Sequence, residues 1–370
     1  MAVILFLYIL WLLLVLFLTR NKRFGLRQGK VALIISILIL ATIGAMISPK
    51  ANYDLSRHYA EYPIIRNTKM NFWNYIFHSR IITNKNYRHA YTFNGIRFIL
   101  SKNLPKEALP FFSILLCYGC WGYILDDIRK KNKLTNGLIG WAMLILNSFL
   151  PIVYIYSGIR NEMAMAIMAL AIYLRIYKNC NIIKFGILAF LAVTMHPLVL
   201  VAIPLLFLRK IRPGKKSVLL IILIPQILHR VMEYFRMSKI DFLKYLGAKF
   251  YNYTYIYVYS QGKFFWFAAI MMTLMVLILS LTIKCKQEQA DKSFINFLVW
   301  YSVFALANIQ SYQIVMRLPY LFGILSPVIV NVLFQKENYS NWKKYELYAV
   351  KIMMALIGGY SIYSNFMWML

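Results

Sequence analysis

Long apolar stretches alternate with short basic ones along most of the chain. Several of the apolar stretches approach the ~20 residues that an α-helix needs to cross a bilayer. Ten stand near residues 3–18, 31–48, 109–125, 137–156, 161–177, 217–231, 264–283, 293–309, 314–334 and 345–366. This pattern predicts an all-α polytopic membrane protein.

One further apolar stretch, 182–208, carries His196 and Pro197 near its middle. Proline disfavours helix at the residue before it and removes a backbone hydrogen bond, so the stretch is either one broken span or two short limbs. The charge of the neighbouring segments favours two limbs. Segments 19–30 and 126–136 are short and basic, which predicts that both are cytoplasmic. A single crossing by 182–208 would then place the basic segment 209–216 outside.

Two limbs joined at His196-Pro197 return segment 209–216 to the cytoplasm and add two spans to the other ten. The prediction is therefore about 12 transmembrane or re-entrant helices in one membrane domain, residues 1–370. His196 would lie at an outer tip or in a re-entrant turn, and segments 49–108 and 232–263 would be sizeable extracytoplasmic loops. The first apolar run lacks a preceding basic region and a small-residue cleavage site, so we expect a span there, not a signal peptide.

Composition and charge agree with this class of protein. The chain is 61% hydrophobic, whereas soluble domains have roughly 45–50% apolar residues. The formal net charge of +30 would suit a nucleic-acid partner, but the cations lie between apolar spans and not on one soluble face. We expect the lipid bilayer as a partner and no nucleic acid.

The predicted topology brings five polar residues from distant segments to the outer face: Asp54, Arg57, Arg160, His196 and Arg317. Arg160 opens an apolar helix, where a cation is disfavoured by about 0.3–1 kcal/mol. It is either an interface anchor that reaches headgroup phosphate or Glu162, or part of an anion site. Arg317, three residues inside an apolar helix, is an outer anchor or a second anion ligand. Two such arginines would suit a pyrophosphate.

His196 is either a general base for a hydroxyl or a packed histidine whose ring is satisfied by a carbonyl. The piece NYDLSRHYAEY, 52–62, places Asp54, Arg57 and Tyr59 just after a span, as part of a site or as a paired surface turn. The twelve carboxylates all fall outside the predicted membrane interior, and the lone CxxC pair has no evident metal partners. The sequence therefore favours chemistry without a metal or other cofactor.

These residues resemble the EpsG-like branch of the Wzy-type bacterial polysaccharide polymerases. The resemblance is carried by NYDLSRHYAEY, by SGIRNEMAMAI at the start of a span, by VTMHPLVLV and by VMRLPYLF in a late span. Asn161 stands where a glutamine is usual, and Pro197 where a small residue is usual.

The resemblance implies a metal-independent glycosyltransferase of capsule, exopolysaccharide or O-antigen synthesis in the bacterial plasma (inner) membrane. Its donor and acceptor would be oligosaccharides linked to undecaprenyl pyrophosphate, joined on the outer face, with a chain-length regulator and a flippase as partners. Arg160 and Arg317 would hold the pyrophosphate. His196 would be the base, Asp54 and Arg57 would shape the site or share that role, and Tyr59 would contact substrate. A lipid-linked oligosaccharide flippase and another membrane sugar transferase or acyltransferase are the alternatives.

Overall fold

The computed structural model describes residues 2–20, 26–49, 54–83, 89–131, 143, 146, 150, 152, 155, 158–252, 254, 263–282, 289–309 and 311–333. All regular elements in these ranges are helices, in agreement with the predicted fold class. The predicted span 345–366 and most of 137–156 lie outside the described residues. The prediction of about 12 helices therefore stays a prediction.

The described α-helices are numbered in chain order. They are α1 Ala2–Arg20, α2 Leu26–Met46, α3 Asp54–Asn67, α4 Phe72–His78, α5 Tyr91–Asn103, α6 Ala108–Lys131, α7 Ile159–Tyr177, α8 Ile182–Val193, α9 Ala202–Phe207, α10 Lys215–Arg236, α11 Asp241–Tyr251, α12 Lys263–Thr282, α13 Gln289–Ala307, α14 Tyr312–Arg317 and α15 Tyr320–Leu333. Short 3₁₀ turns connect some of them, at Ser79–Ile81, Pro197–Val201 and Leu208–Lys210.

Three stretches of the described chain are both long and apolar enough to cross a membrane: Arg27–Met46, Ala108–Lys131 and Tyr312–Val332. Shorter apolar helices occur at Val3–Leu18, Ile182–Val193 and Ala269–Thr282. Many large apolar side chains on α1 and α2 face outward, as expected where lipid replaces water around a helix.

The centre of the bundle is α7, which is buried on nearly all sides. Helix α6 runs parallel to it, because Ser113 Oγ donates to Met163 Sδ near the start of both helices and Tyr173 OH donates to Asp127 Oδ2 near their ends. Helix α15 completes this centre, where Trp121 Nε1 of α6 donates to Ser326 Oγ at 3.0 Å. Small residues allow close packing here too: a Cβ on Gly44 of α2 would overlap Ile114 of α6.

The predicted outer loop 49–108 contains the helices α3, α4 and α5. Asp54 occupies the first turn of α3, where a carboxylate is favoured by the helix dipole. Helix α3 packs on α5 through Arg66, whose Nε donates to Ser101 O at 2.8 Å, and Lys102 Nζ donates back to Thr68 O at 2.7 Å. The piece 52–62 is therefore helical from Asp54 onward, and the surface-turn interpretation is wrong about its conformation.

The stretch 182–208 reverses direction at His196, as the two-limb prediction required. Helix α8 ends at Val193, and a 3₁₀ turn begins at Pro197. At the far end of the return limb, Trp300 Nε1 of α13 donates to Leu208 O at 3.1 Å, and Arg209 lies within electrostatic reach of Arg175 in the last turn of α7. The start and the end of the stretch therefore lie at the same end of α7.

Within the second predicted outer loop, 232–263, α11 folds back on α10. A Cβ on Gly247 would overlap the backbone of Met232 and Arg236, so only glycine permits this close approach. This contact places α11 beside the return limb, where both line one cavity. Lys249 of α11 lies within electrostatic reach of His196.

Candidate active site

The first turn of α7 places three polar side chains inside the protein. Arg160, Asn161 and Glu162 are 8%, 3% and 1% exposed. Gly158 precedes them as the N-cap and supplies no side-chain cap. Because Arg160 is enclosed by protein, its position does not fit an anchor that extends into lipid headgroups.

Arg160 and a second buried arginine, Arg97, both lie near the ring of Phe93. The Arg160 guanidinium lies 5.8 Å from the centre of the Phe93 ring, and that of Arg97 lies 5.6 Å from the same ring. The His58 ring packs on Phe93 as well, at 5.0 Å. Glu61 forms an ion pair with Arg97. Helices α3 and α5 thus place His58 and the ion pair of Arg97 with Glu61 beside the opening of α7.

The pKa of His58 reflects the positive charges around it. Burial lowers the pKa of His58 well below its usual 6.5, and the positive charges of Arg97, Arg160 and Arg57 lower that pKa further. The ring is therefore neutral at physiological pH. An added anion near it would relieve the excess of positive charge.

Glu162 faces away from Arg160, as expected for residues two apart on a helix. Its Oε1 accepts from Asn161 Nδ2 at 3.3 Å, while its Oε2 is buried with no hydrogen-bond partner among the described residues. The positive charge of Arg317, the last residue of α14, acts on the Glu162 side chain. The acid expected to balance Arg160 therefore lies near the other predicted arginine.

His196 lies in the turn between the two limbs and is 3% exposed. Its Nδ1 accepts from the backbone N–H of Leu198 at 3.3 Å. A nitrogen that accepts carries no proton, so the neutral ring has its proton on Nε2, the nitrogen that can donate. The positive charges of Arg317, Arg160 and Lys249 act on the ring.

The structure thus brings Arg160, His196 and Arg317 into one electrostatic neighbourhood, as the topology predicted. Arg57 reaches this neighbourhood through His58, although its own side chain is 53% exposed and pairs with Asp54. Asp54 therefore binds Arg57 in this structure.

Tyr59 is the most peripheral of the predicted residues. Its hydroxyl is buried without a hydrogen-bond partner in the described part of the chain, and burial raises its pKa. The Lys106 Nζ lies 5.1 Å from the centre of its ring.

Sequence reasoning missed His58, Arg97 and Lys249. Arg97 had a usable signal, because it stands in the apolar run GIRFIL with no neighbouring acid. Lys249 had none, since its position depends on how α11 folds over α10. Among the described residues, no group of three His, Cys, Asp or Glu side chains is arranged to hold a metal ion.

The comparison with protein families identifies the family of this chain. The EpsG family profile matches residues 99–368, which include Arg160, His196 and Arg317 but not α3. No curated protein matches the chain, and no solved structure matches it.

Proposed function

Since the chain belongs to the EpsG family, we propose that it is a polysaccharide polymerase, a glycosyltransferase that joins repeat units carried on undecaprenyl pyrophosphate. The observation that carries this proposal is the set of cations around His196. Arg160, Arg317 and Lys249 come from three helices and act on one ring. Such a cluster suits a ligand with two phosphates.

The chemistry needs positive charge at the leaving group. The acceptor hydroxyl oxygen attacks the anomeric carbon of the donor sugar, and the bond from that carbon to the pyrophosphate oxygen breaks. The hydroxyl proton passes to water or, in the base role, to Nε2 of His196. Undecaprenyl pyrophosphate departs with an additional negative charge. Fixed cations in a site that excludes water stabilise this developing charge, which is the contribution a metal ion would otherwise supply. We therefore propose a metal-independent reaction.

Arg160 and Arg317 are proposed to hold the two phosphates. Each guanidinium can donate two parallel hydrogen bonds to a phosphate, which fixes its orientation. Glu162 would position Arg317, because its charge is close and its free Oε2 gives that guanidinium a carboxylate to bind. Asp54 and Arg57 would shape the entrance as a pair, with Tyr59 beside them.

His196 is proposed to contact the acceptor hydroxyl or a phosphate through Nε2. The hydrogen bond from Leu198 to Nδ1 makes Nε2 a donor in the neutral ring. The base role predicted from the sequence requires the opposite tautomer, and hence release of the Leu198 N–H. These two roles have different consequences for a glutamine at this position.

We propose that the reaction takes place on the outer face of the plasma membrane, in capsule, exopolysaccharide or O-antigen synthesis. The basic end of α6 and Arg209 support the orientation, since they lie near Tyr173 and Arg175, at the end of α7 opposite Arg160. A flippase would deliver the substrate, and a chain-length regulator would be a further partner.

The test is gel analysis of surface polysaccharide from a strain that lacks this gene and is complemented with variants. Wild type should restore a long-chain ladder. Arg160→Ala and Arg317→Ala should leave a single repeat unit, with at least a 100-fold loss of extension. Arg175→Ala is the matched control, because it removes an arginine from the other end of the same helix, where it donates to Cys180 O.

Two results would contradict the proposal. Complete loss of surface material in the deletion strain would point to a flippase or an earlier transferase. Normal ladders from both arginine variants, at wild-type protein levels, would return Arg160 and Arg317 to structural roles.

A further inference from the structure

An apolar cavity of about 380 Å³ opens beside the His196 turn. Its volume falls in the ~300–1,000 Å³ range of small-molecule sites. The return limb, α10, α11, α13 and α14 form its walls. Its lining includes Pro197, Leu198, Val201, Leu228, Phe250 and Phe304.

Helix α10 contributes one face to this cavity. Ile221, Ile224, Leu228 and Met232 line it, at the three- and four-residue spacing that places side chains on one side of a helix. The neighbouring positions Leu223 and Ile227 are 48% and 59% exposed. The same helix therefore has a cavity side and an outward side, both apolar.

The cavity is almost wholly apolar, and two of its lining residues carry polar side chains. Lys249 and Asn308 line the cavity, and Lys249 is one of the three cations that act on His196. Asn308 is 1% exposed, and its Oδ1 has no hydrogen-bond partner among the described residues. A ligand that fills the cavity would thus have a hydrocarbon part against α10 and an anionic or hydroxyl part toward Lys249.

We propose that this cavity binds the hydrocarbon chain of a polyprenyl phosphate, with the isoprene units nearest the phosphate between α10 and the return limb. The inference rests on the proposed function and adds the site of the lipid part of the substrate. A polyprenyl phosphate has a single chain and a compact anionic head, which fits one apolar cavity with a cation, Lys249, in its lining. A phospholipid has two chains for the same space.

The binding experiment uses the purified full-length protein in detergent and undecaprenyl phosphate as the probe, with affinity measured by native mass spectrometry. Leu228→Trp should fill the cavity and weaken binding at least 10-fold. Ile227→Trp places the same ring on the outward side of α10 and should bind as wild type does. Lys249→Met should weaken binding of undecaprenyl phosphate but not of undecaprenol, whereas Lys244→Met, at an exposed position of α11, should change neither.

Thermal unfolding of each variant separates loss of the cavity from loss of the fold. The comparison of Lys249→Met with Lys244→Met tests the site without altering the cavity volume. Equal binding by Leu228→Trp and wild type would overturn the proposal, as would tighter binding of phosphatidylglycerol with the same dependence on Leu228. These outcomes do not bear on the polymerase, which fails only if the gel assay fails. Loss of binding in Leu228→Trp together with normal ladders would also overturn the proposed role of the cavity.

Discussion

At the Tyr177 end of α7 the acids Asp127 and Asp291 are bound by neighbouring side chains, whereas at its Arg160 end three cations act on His196. Asp127 accepts from Tyr173 OH and lies 2.7 Å from Lys178 Nζ, and Tyr177 OH donates to Asp291 Oδ1 at 2.9 Å. At the other end, Glu162 Oε2 has no hydrogen-bond partner in the described part of the chain. Electrostatics that are unfavourable without a ligand are typical of sites that bind one.

The largest expected difference between the two ends is in stability. Arg129 on α6 is fully buried and donates to Asp126 Oδ1 at 2.8 Å. Asp126→Ala leaves that cation in the protein without its carboxylate, and we expect a loss of about 3 kcal/mol in the free energy of unfolding. Arg160→Met removes one of several neighbouring cations and should leave the free energy of unfolding equal or higher. Unfolding by SDS in mixed micelles measures both.

The comparison of the two ends would fail if the effects were reversed. A loss of about 3 kcal/mol in Arg160→Met, with no loss in Asp126→Ala, would make the Arg160 end the structural one. Arg175→Ala is a useful reference here as well, because it removes only a hydrogen bond to Cys180 O.

The helices and the reversal at His196 were predictable, because both depend on local pattern. Apolar length marks a span, and the Pro197 ring together with the basic segment 209–216 marks the break between two limbs. The helices α3, α4 and α5 were less accessible. They are short, 7 to 14 residues, and tertiary contacts such as those of Arg66 with α5 stabilise them more than their own pattern does.

The candidate site was predictable as a set of segments and not as a set of contacts. Topology brought Arg160, His196 and Arg317 to one end, but one of the alternatives for Arg160 was a contact with Glu162, whose Oε1 accepts from Asn161 instead. Nor does spacing reveal that Arg97 and Arg160 share the Phe93 ring. Contacts of this kind depend on helix rotation and crossing, which a single sequence specifies only through the whole packed core.

The next expected effect concerns His196 at the Arg160 end, which would act either as a hydrogen-bond donor or as a base. His196→Ala should lower the rate of chain extension about 100-fold, as removal of one well-placed hydrogen-bond donor does. If His196 donates through Nε2, His196→Gln restores an N–H donor and should keep the rate within about 10-fold of wild type. Extension rates from purified enzyme and lipid-linked repeat units measure this. Equal losses in both variants would instead support the base role.

The smallest expected effect tests the positive potential at the Arg160 end through pH. The pKa of His58 is lowered well below 6.5 by burial and by Arg97, Arg160 and Arg57, so the unfolded chain binds this proton more readily than the folded one. Its contribution to stability is therefore fully present above about pH 6.5 and is lost as the pH falls toward the folded pKa.

We expect the free energy of unfolding to fall by up to about 1 kcal/mol between pH 6.5 and 5.5 because of His58. His58→Gln should remove this component of the pH dependence, and Arg97→Met should reduce it by raising the pKa of His58. SDS unfolding at the two pH values measures the slope, with His78→Gln as the control, since His78 lies at the end of α4 on the surface. An unchanged slope in His58→Gln would mean that the cluster does not repel a proton, and the case for an anion site beside Phe93 would lose its electrostatic support.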